Sequence, residues 1–148
     1  MKITKQQLEK LIDDETFMSR GTEYFYEGMV GISSITKDKV VADSIGTRLY
    51  KINLFFGKNG KLDGNCSCPA FQDYGPCKHM AATGLAVIAK DEGEDYEPNE
   101  EFACRKEEFL EIKESLNKKS KEQLIDIILQ MADEDPELYY ILDGEYDD

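Results

Sequence analysis

With 148 residues, 41% of them hydrophobic, and only four cysteines, the chain is long enough to bury a core without covalent staples, which excludes a small disulfide scaffold. A formal charge of -13 excludes a uniformly basic nucleic-acid binder. No stretch approaches the roughly 20 apolar residues that span a bilayer, and Met1 to Lys10 lacks the apolar run of a signal peptide, so no membrane contact and a cytoplasmic, reducing location are expected.

The charge is segregated. Residues 1–29 carry 4 basic and 6 acidic groups, residues 30–90 carry 8 and 4, and residues 91–148 carry 6 and 21. A mildly basic middle is thus followed by a strongly acidic last third.

In chain order, Thr4 with Gln7 forms a capping-box pattern ahead of Leu8, Leu11 and Ile12 at helical spacing, which predicts a first short helix. A second is predicted from near Thr16 to Gly28. From Val30 to Cys68 the pattern changes to short β-branched and aromatic runs, with Tyr50, Ile52, Leu54 and Phe56 alternating, which reads as an antiparallel meander. Gly57-Lys58-Asn59-Gly60-Lys61 supplies a hairpin turn. It is not a phosphate loop, because the Gly-x-x-x-x-Gly-Lys-Ser/Thr run that cradles phosphate occurs nowhere in the chain, so nucleotide hydrolysis is not expected.

After His79, the small and apolar run from Met80 to Ile88 predicts a buried helix ending near Lys90. Asp91 to Glu101 is acidic, contains Gly93 and Pro98 and lacks apolar periodicity, so it reads as a solvated linker or edge loop. Beyond it, Phe109, Ile112 and Leu116 predict one helix, and Ser120 with Gln123 caps another that places Leu124, Ile127, Ile128 and Met131 on one face. Asp135-Pro136 opens a third, and the terminus from Glu145 to Asp148 is expected to fray.

The residues that carry chemistry are Cys66, Cys68, Cys77 and His79. Positions two apart at the end of a strand face the same side, so Cys66 and Cys68 can converge on one ion. Cys77 and His79 cannot both lie within a regular helix and do the same, because two residues turn about 200°. Cys77 is therefore expected just before the helix and His79 in its first turn, where the free amides and the helix dipole favour a thiolate. Pro69 and Gly75-Pro76 bound the loop that must bring the second pair back to the first. Three thiolates and an imidazole suit one structural Zn2+ in a closed tetrahedral site, with no open position for a water nucleophile. Zinc binding to finger peptides is worth ~10 to 16 kcal/mol, comparable with a whole domain's stability of about 5 to 15, so chelation is expected to unfold the sheet region.

The spacing Cys66-x-Cys68, eight residues, Cys77-x-His79 resembles the signature of the SWIM zinc-finger family. The segment Arg20-Gly21-Thr22-Glu23-Tyr24-Phe25-Tyr26-Glu27-Gly28 and the run Gly75-Pro76-Cys77-Lys78-His79 resemble bacterial SWIM proteins over roughly residues 17 to 90. That resemblance implies binding of DNA or protein, often beside a Snf-type helicase or a transposase, which would have to be a separate chain unless this is a fragment of a longer one.

Plainer readings stand beside these. The four ligands could be unconnected core residues or include a disulfide, though spacing and compartment argue otherwise. Tyr24, Phe25 and Tyr26 could stack bases, but aromatics beside an apolar sheet ordinarily pack in the core, and the same holds for Tyr50 and Phe56. Lys37, Lys39, Arg48, Lys51, Lys58, Lys61 and Lys78 are either a phosphate-contacting face or a solvated surface. Cys104 is expected to be a partly buried bystander. The acidic tail fits a solvated helical face, a docking surface or a competitor of nucleic acid. A zinc hydrolase would need an open ligand position and a base such as Asp63 or Asp73, which four strong ligands argue against.

These readings define an α+β protein: residues 1–90 as helical lead-in plus zinc finger, 91–101 as linker, 102–148 as acidic helical extension. The expected function is that of a non-enzymatic, zinc-held module contacting nucleic acid, a protein, or both.

Overall fold

The computed structural model describes residues 1–142, and the expected frayed end from Glu145 to Asp148 lies outside the described residues. Helix α1 (Lys5–Ile12) starts at the capping box, where the Thr4 hydroxyl accepts from Gln7 N at 3.2 Å and the Gln7 side chain accepts from Thr4 N at 2.9 Å. Helix α2 (Glu15–Tyr26) is capped by Asp14, whose carboxylate accepts from Phe17 N at 2.8 Å. The meander follows as β1 (Val30–Ile35), β2 (Lys39–Ile45), β3 (Leu49–Phe56) and β4 (Leu62–Cys66), antiparallel in the order β1-β2-β3-β4.

Register decides which side chains meet the core. Val40 lies opposite Leu54 and Ala42 opposite Ile52, and all four are buried, while their neighbours Lys39 and Lys51 are exposed. Ile52 also lies opposite Cys66, so the first ligand sits at the end of β4 on the buried face. The hairpin into β4 closes through Gly57 N donating to Lys61 O at 2.8 Å, with Gly60 at φ 72°.

The loop between the two ligand pairs holds an element that the sequence did not suggest, a short helix α3 (Pro69–Tyr74) with proline in its first turn and Gly75 at φ 84° behind it. Helix α4 (Lys78–Asp91) then crosses the buried face of the sheet and packs on α1 and α2. Two glycines set its distances. A β-carbon at Gly21 on α2 would meet Ala81 and would lie 2.8 Å from the Lys78 carbonyl oxygen, and one at Gly84 would lie 2.7 Å from a Leu8 methyl. The missing side chains let α1 and α2 sit directly on α4. Leu8, Met80, Ala81, Ala82 and Val87 form the core there with Val30, Ile52 and Leu54.

The acidic segment after α4 contributes to this core. Tyr96 is buried, its hydroxyl donates to Val30 O at 2.8 Å, and its ring stacks on Phe25 with centroids 5.1 Å apart. Asn99 receives a hydrogen bond from Phe102 N at 2.7 Å, donates its own amide N–H to Gly28 O at 2.9 Å, and reaches Glu27 O through its side chain. Helix α5 (Glu100–Asn117) is therefore capped by Asn99 and begins well before Phe109. Phe102 fills the space over Gly31, Lys106 pairs with Asp43 at 2.8 Å, and Arg105 donates to Gly46 O at 2.8 Å.

The described chain divides into two compact units, Met1–Phe109 and Leu110 onward. Where the sequence placed a boundary in 91–101 and an extension from 102, the first unit runs on to Phe109, because Tyr96 and Phe102 are buried in it. In the second unit, Ser120 and Gln123 make the expected capping box for α6 (Lys121–Glu134), at 3.1 and 2.9 Å, and α7 (Glu137–Leu142) follows Pro136. The architecture is α+β, with N-terminal helices, a four-stranded antiparallel sheet and C-terminal helices. No helix among the described residues is long and apolar enough to cross a membrane.

Candidate metal centre

All four sequence-selected residues come together. One ligand atom from each of Cys66, Cys68, Cys77 and His79 lies within 4.8 Å of the others, and all four residues are buried.

Local folding explains each position. Ser67 continues the strand beyond Cys66, since its N donates to Lys51 O at 3.0 Å and its hydroxyl accepts from Lys51 N at 2.9 Å. The two-residue alternation therefore holds through Ser67, and both flanking sulfurs turn to the same side. Cys68 is the residue before α3, and its Sγ accepts from Phe71 N at 3.4 Å, an amide that favours the thiolate. Cys77 is the extended residue before α4 (φ -123°, ψ 173°), and His79 lies in the first turn, as the spacing required. Lys78 projects between them, its Nζ donating to Tyr24 Oη at 3.0 Å and lying 4.1 Å from the centre of that ring.

Three of the cluster's six edges match those of a tetrahedral ion, and the others stay within 4.8 Å. His79 Nδ1 is 3.8 Å from both Cys66 Sγ and Cys77 Sγ, and Cys68 Sγ is 3.6 Å from Cys77 Sγ. Zinc bonds of about 2.3 Å to sulfur and about 2.0 Å to nitrogen demand edges of about 3.5 to 3.8 Å. The imidazole is 3% exposed and its Nδ1 faces only sulfur, while Nε2 has no hydrogen-bond partner among the described residues. Nδ1 is therefore the nitrogen placed to bind a metal, with the ring proton on Nε2, and a metal there would leave that buried N–H still without a partner. The donor set fits one zinc ion, which when bound would neutralise the thiolates and tie β4 to α4.

Electrostatics of the thiols point the same way. The Cys66 thiol donates toward Cys77, and that bond together with burial holds the Cys66 proton well above the ordinary thiol range. The same bond, aided by His79, brings Cys77 down to about 4. Burial pushes Cys68 up. Three packed sulfurs therefore stabilise one negative charge among themselves and need a cation to carry three.

Two aromatic rings fix the histidine, and the sequence reading left both as ordinary core. Tyr24 meets His79 edge-on at 5.5 Å, and Tyr50 lies against it at 5.1 Å with its hydroxyl 2.7 Å from Thr47 Oγ1. The signal available was the position of Tyr24 within the Arg20–Gly28 run.

Other expectations changed. Tyr24 and Phe25 are half-buried against the core, but Tyr26 is 80% exposed, because it falls on the outer side of the last turn of α2. Cys104 is exposed on α5 and outside the cluster, not partly buried. Asp63 and Asp73 are exposed and neither joins the cluster. The seven basic residues do not form one face. The β1–β2 and β3–β4 turns leave the sheet at the same end, which gathers Lys37, Lys39, Lys58 and Lys61, whereas Arg48 lies in the β2–β3 turn at the opposite end, Lys51 is exposed within β3 opposite Asp43, and Lys78 is engaged by Tyr24.

A buried Cys3His knuckle that clamps a strand end to a helix start defines a structural zinc-finger class of site. Within it, residues 50–87 match the model of the SWIM zinc finger, a segment that begins at Tyr50 and contains all four ligands. The curated proteins and the solved structures yield no match.

Proposed function

We propose that this chain is a non-catalytic binding module in which Cys66, Cys68, Cys77 and His79 hold one structural zinc ion, so that the sheet is presented as a rigid surface to nucleic acid. The observation that carries the reading is the burial of all four candidate ligands with their donor atoms within 4.8 Å, a closed set that leaves no coordination position for substrate. Support for nucleic acid comes from the four lysines at one end of the sheet, Lys37, Lys39, Lys58 and Lys61, in a region whose net charge is positive. The reduced cysteines fit a cytoplasmic location.

A protein partner, for example a Snf-type helicase on a separate chain, is the second reading, and the exposed apolar surface beyond Leu110 favours it. The test is fluorescence anisotropy of the zinc-loaded chain against single- and double-stranded DNA at two salt concentrations, with the four lysines intact or changed to Glu. Salt-sensitive binding that the Lys→Glu variant loses is the expected outcome. No binding at low salt would put the protein reading in front.

A further inference from the structure

Fourteen large apolar or aromatic side chains are exposed among the described residues, and eleven of them lie between Leu110 and Leu142. Within that span only Ala132 is buried, and Leu124, Ile127 and Leu138 are half-buried. Helices α6 and α7 touch, yet Ile128, Leu129 and Met131 on α6 and Tyr140, Ile141 and Leu142 on α7 stay 43 to 61% exposed. Solvated helices ordinarily keep one apolar stripe and bury it. The apolar positions of α6, from Leu124 to Ala132, instead span an arc of about 200° at 100° per residue, more than one neighbouring helix can cover. Ile125, Ile128, Leu129 and Ala132 follow the i, i+3, i+4, i+7 spacing by which one helix receives another.

Charge identifies what would cover it. From Lys121 to Leu142 the charged residues are Lys121, Glu122, Asp126, Asp133, Glu134, Asp135 and Glu137, six carboxylates against one Lys. An apolar surface that carries six carboxylates against the single Lys121 repels a second copy of itself and repels phosphate. It complements a helix whose apolar face is bordered by Lys or Arg.

We propose that α6 and α7 form a docking surface for a basic amphipathic helix of a partner protein, whose apolar side chains complete the core that this unit lacks. Ile128 and Leu129 lie at the centre of the contact, and the carboxylates at its rim set the sign of the partner.

The test uses the full zinc-loaded chain and a fluorescein-labelled 18-residue peptide of Leu and Lys with Leu at helical spacing. The same Leu pattern with Glu in place of Lys, and a polylysine of equal charge, are the controls. Anisotropy should report saturable binding of the Leu/Lys peptide, at least tenfold weaker binding of both controls, and at least tenfold loss in an Ile128→Ser, Leu129→Ser variant. Both residues are exposed, so the variant should keep its helicity by circular dichroism, and it keeps every charge, so attraction to any polycation would survive it. Equal binding by the variant and the parent, or no binding by the parent, overturns the proposal. Self-association in sedimentation velocity that the same substitutions abolish, without peptide binding, would assign the surface to a second copy instead.

Discussion

The ring of Tyr24 meets the ring of His79 edge-on with 5.5 Å between centroids, while the Tyr24 hydroxyl receives a 3.0 Å hydrogen bond from Lys78. One side chain on α2 thus holds two consecutive residues of the first turn of α4, one of them a candidate ligand. Outer partners of this kind orient a metal-bound imidazole and slow its exchange. Tyr24→Ala is expected to destabilise the zinc-loaded chain by roughly 2 kcal/mol, below the ~3–5 kcal/mol of a fully buried aromatic, and to speed zinc transfer to a chelator. Tyr24→Phe should keep the ring contact and recover most of the slow transfer. Equal transfer rates for Ala and Phe would mean that the ring does not position His79.

Zinc uptake should depend steeply on pH. Without metal, Cys66 and Cys68 hold their protons above the ordinary thiol range and Cys77, brought down to about 4, is already a thiolate. Zinc binding to the folded site at neutral pH then releases about two protons from the thiols, and binding to a chain unfolded without metal, where all three thiols are protonated, releases about three, so affinity rises with pH in either case. Calorimetric titration in buffers of different ionisation enthalpy should count these protons. Cys66→Ser should lower the count by one and weaken binding. Removing zinc with a strong chelator should collapse the sheet signal and the thermal transition, since a metal held by these four residues would tie β4 to α4. Unchanged circular dichroism and melting after verified removal would contradict that role.

The candidate site was readable from the chain because its spacing admits few geometries. Cys66 and Cys68 needed only strand alternation, and Cys77 and His79 needed only the impossibility of two residues sharing one side of a helix at that separation. The meander and both capping boxes follow from similarly local rules. Tyr96, Asn99 and Phe102 were hidden for the opposite reason. Their burial is set by Val30, Phe25, Gly28 and Gly31, some 70 residues away in the chain, while the surrounding carboxylates make the segment look solvated. Helix α3 was equally hidden, because six residues starting at a proline carry no periodicity to read.

The contact between Gly21 and Ala81 is a second packing constraint that substitution can test. A β-carbon at Gly21 would enter Ala81 and press on the Lys78 carbonyl, which is backbone and cannot swing aside. Gly21→Val should push α2 away from the start of α4, with an overpacking cost of about 1–3 kcal/mol in urea unfolding. Gly60→Val is no control, because the positive φ there strains any β-branched residue. An exposed position in the same helix, Ser19→Val, supplies it and should change stability by less than about 0.5 kcal/mol. Similar losses for Gly21→Val and Ser19→Val would show that helix spacing is not held at Gly21.

Truncation tests where the zinc-bearing unit ends. A chain stopped at Lys90 loses Tyr96, whose hydroxyl and ring bind Val30 and Phe25, and Phe102, which covers Gly31. Full burial of an aromatic side chain is worth about 1.5–3 kcal/mol, and the exposed edge of β1 loses its cover as well. A chain stopped at Phe109 keeps these contacts, together with the Lys106–Asp43 pair and the Arg105 bond to Gly46. Residues 1–109 should therefore melt close to the full chain, and residues 1–90 should melt well below both with zinc present. The longer fragment also lacks the twelve acidic and four basic residues that follow Phe109, so if the sheet binds DNA its affinity should exceed that of the full chain, most clearly at low salt. Equal melting of the two fragments would return the boundary to the acidic segment before α5.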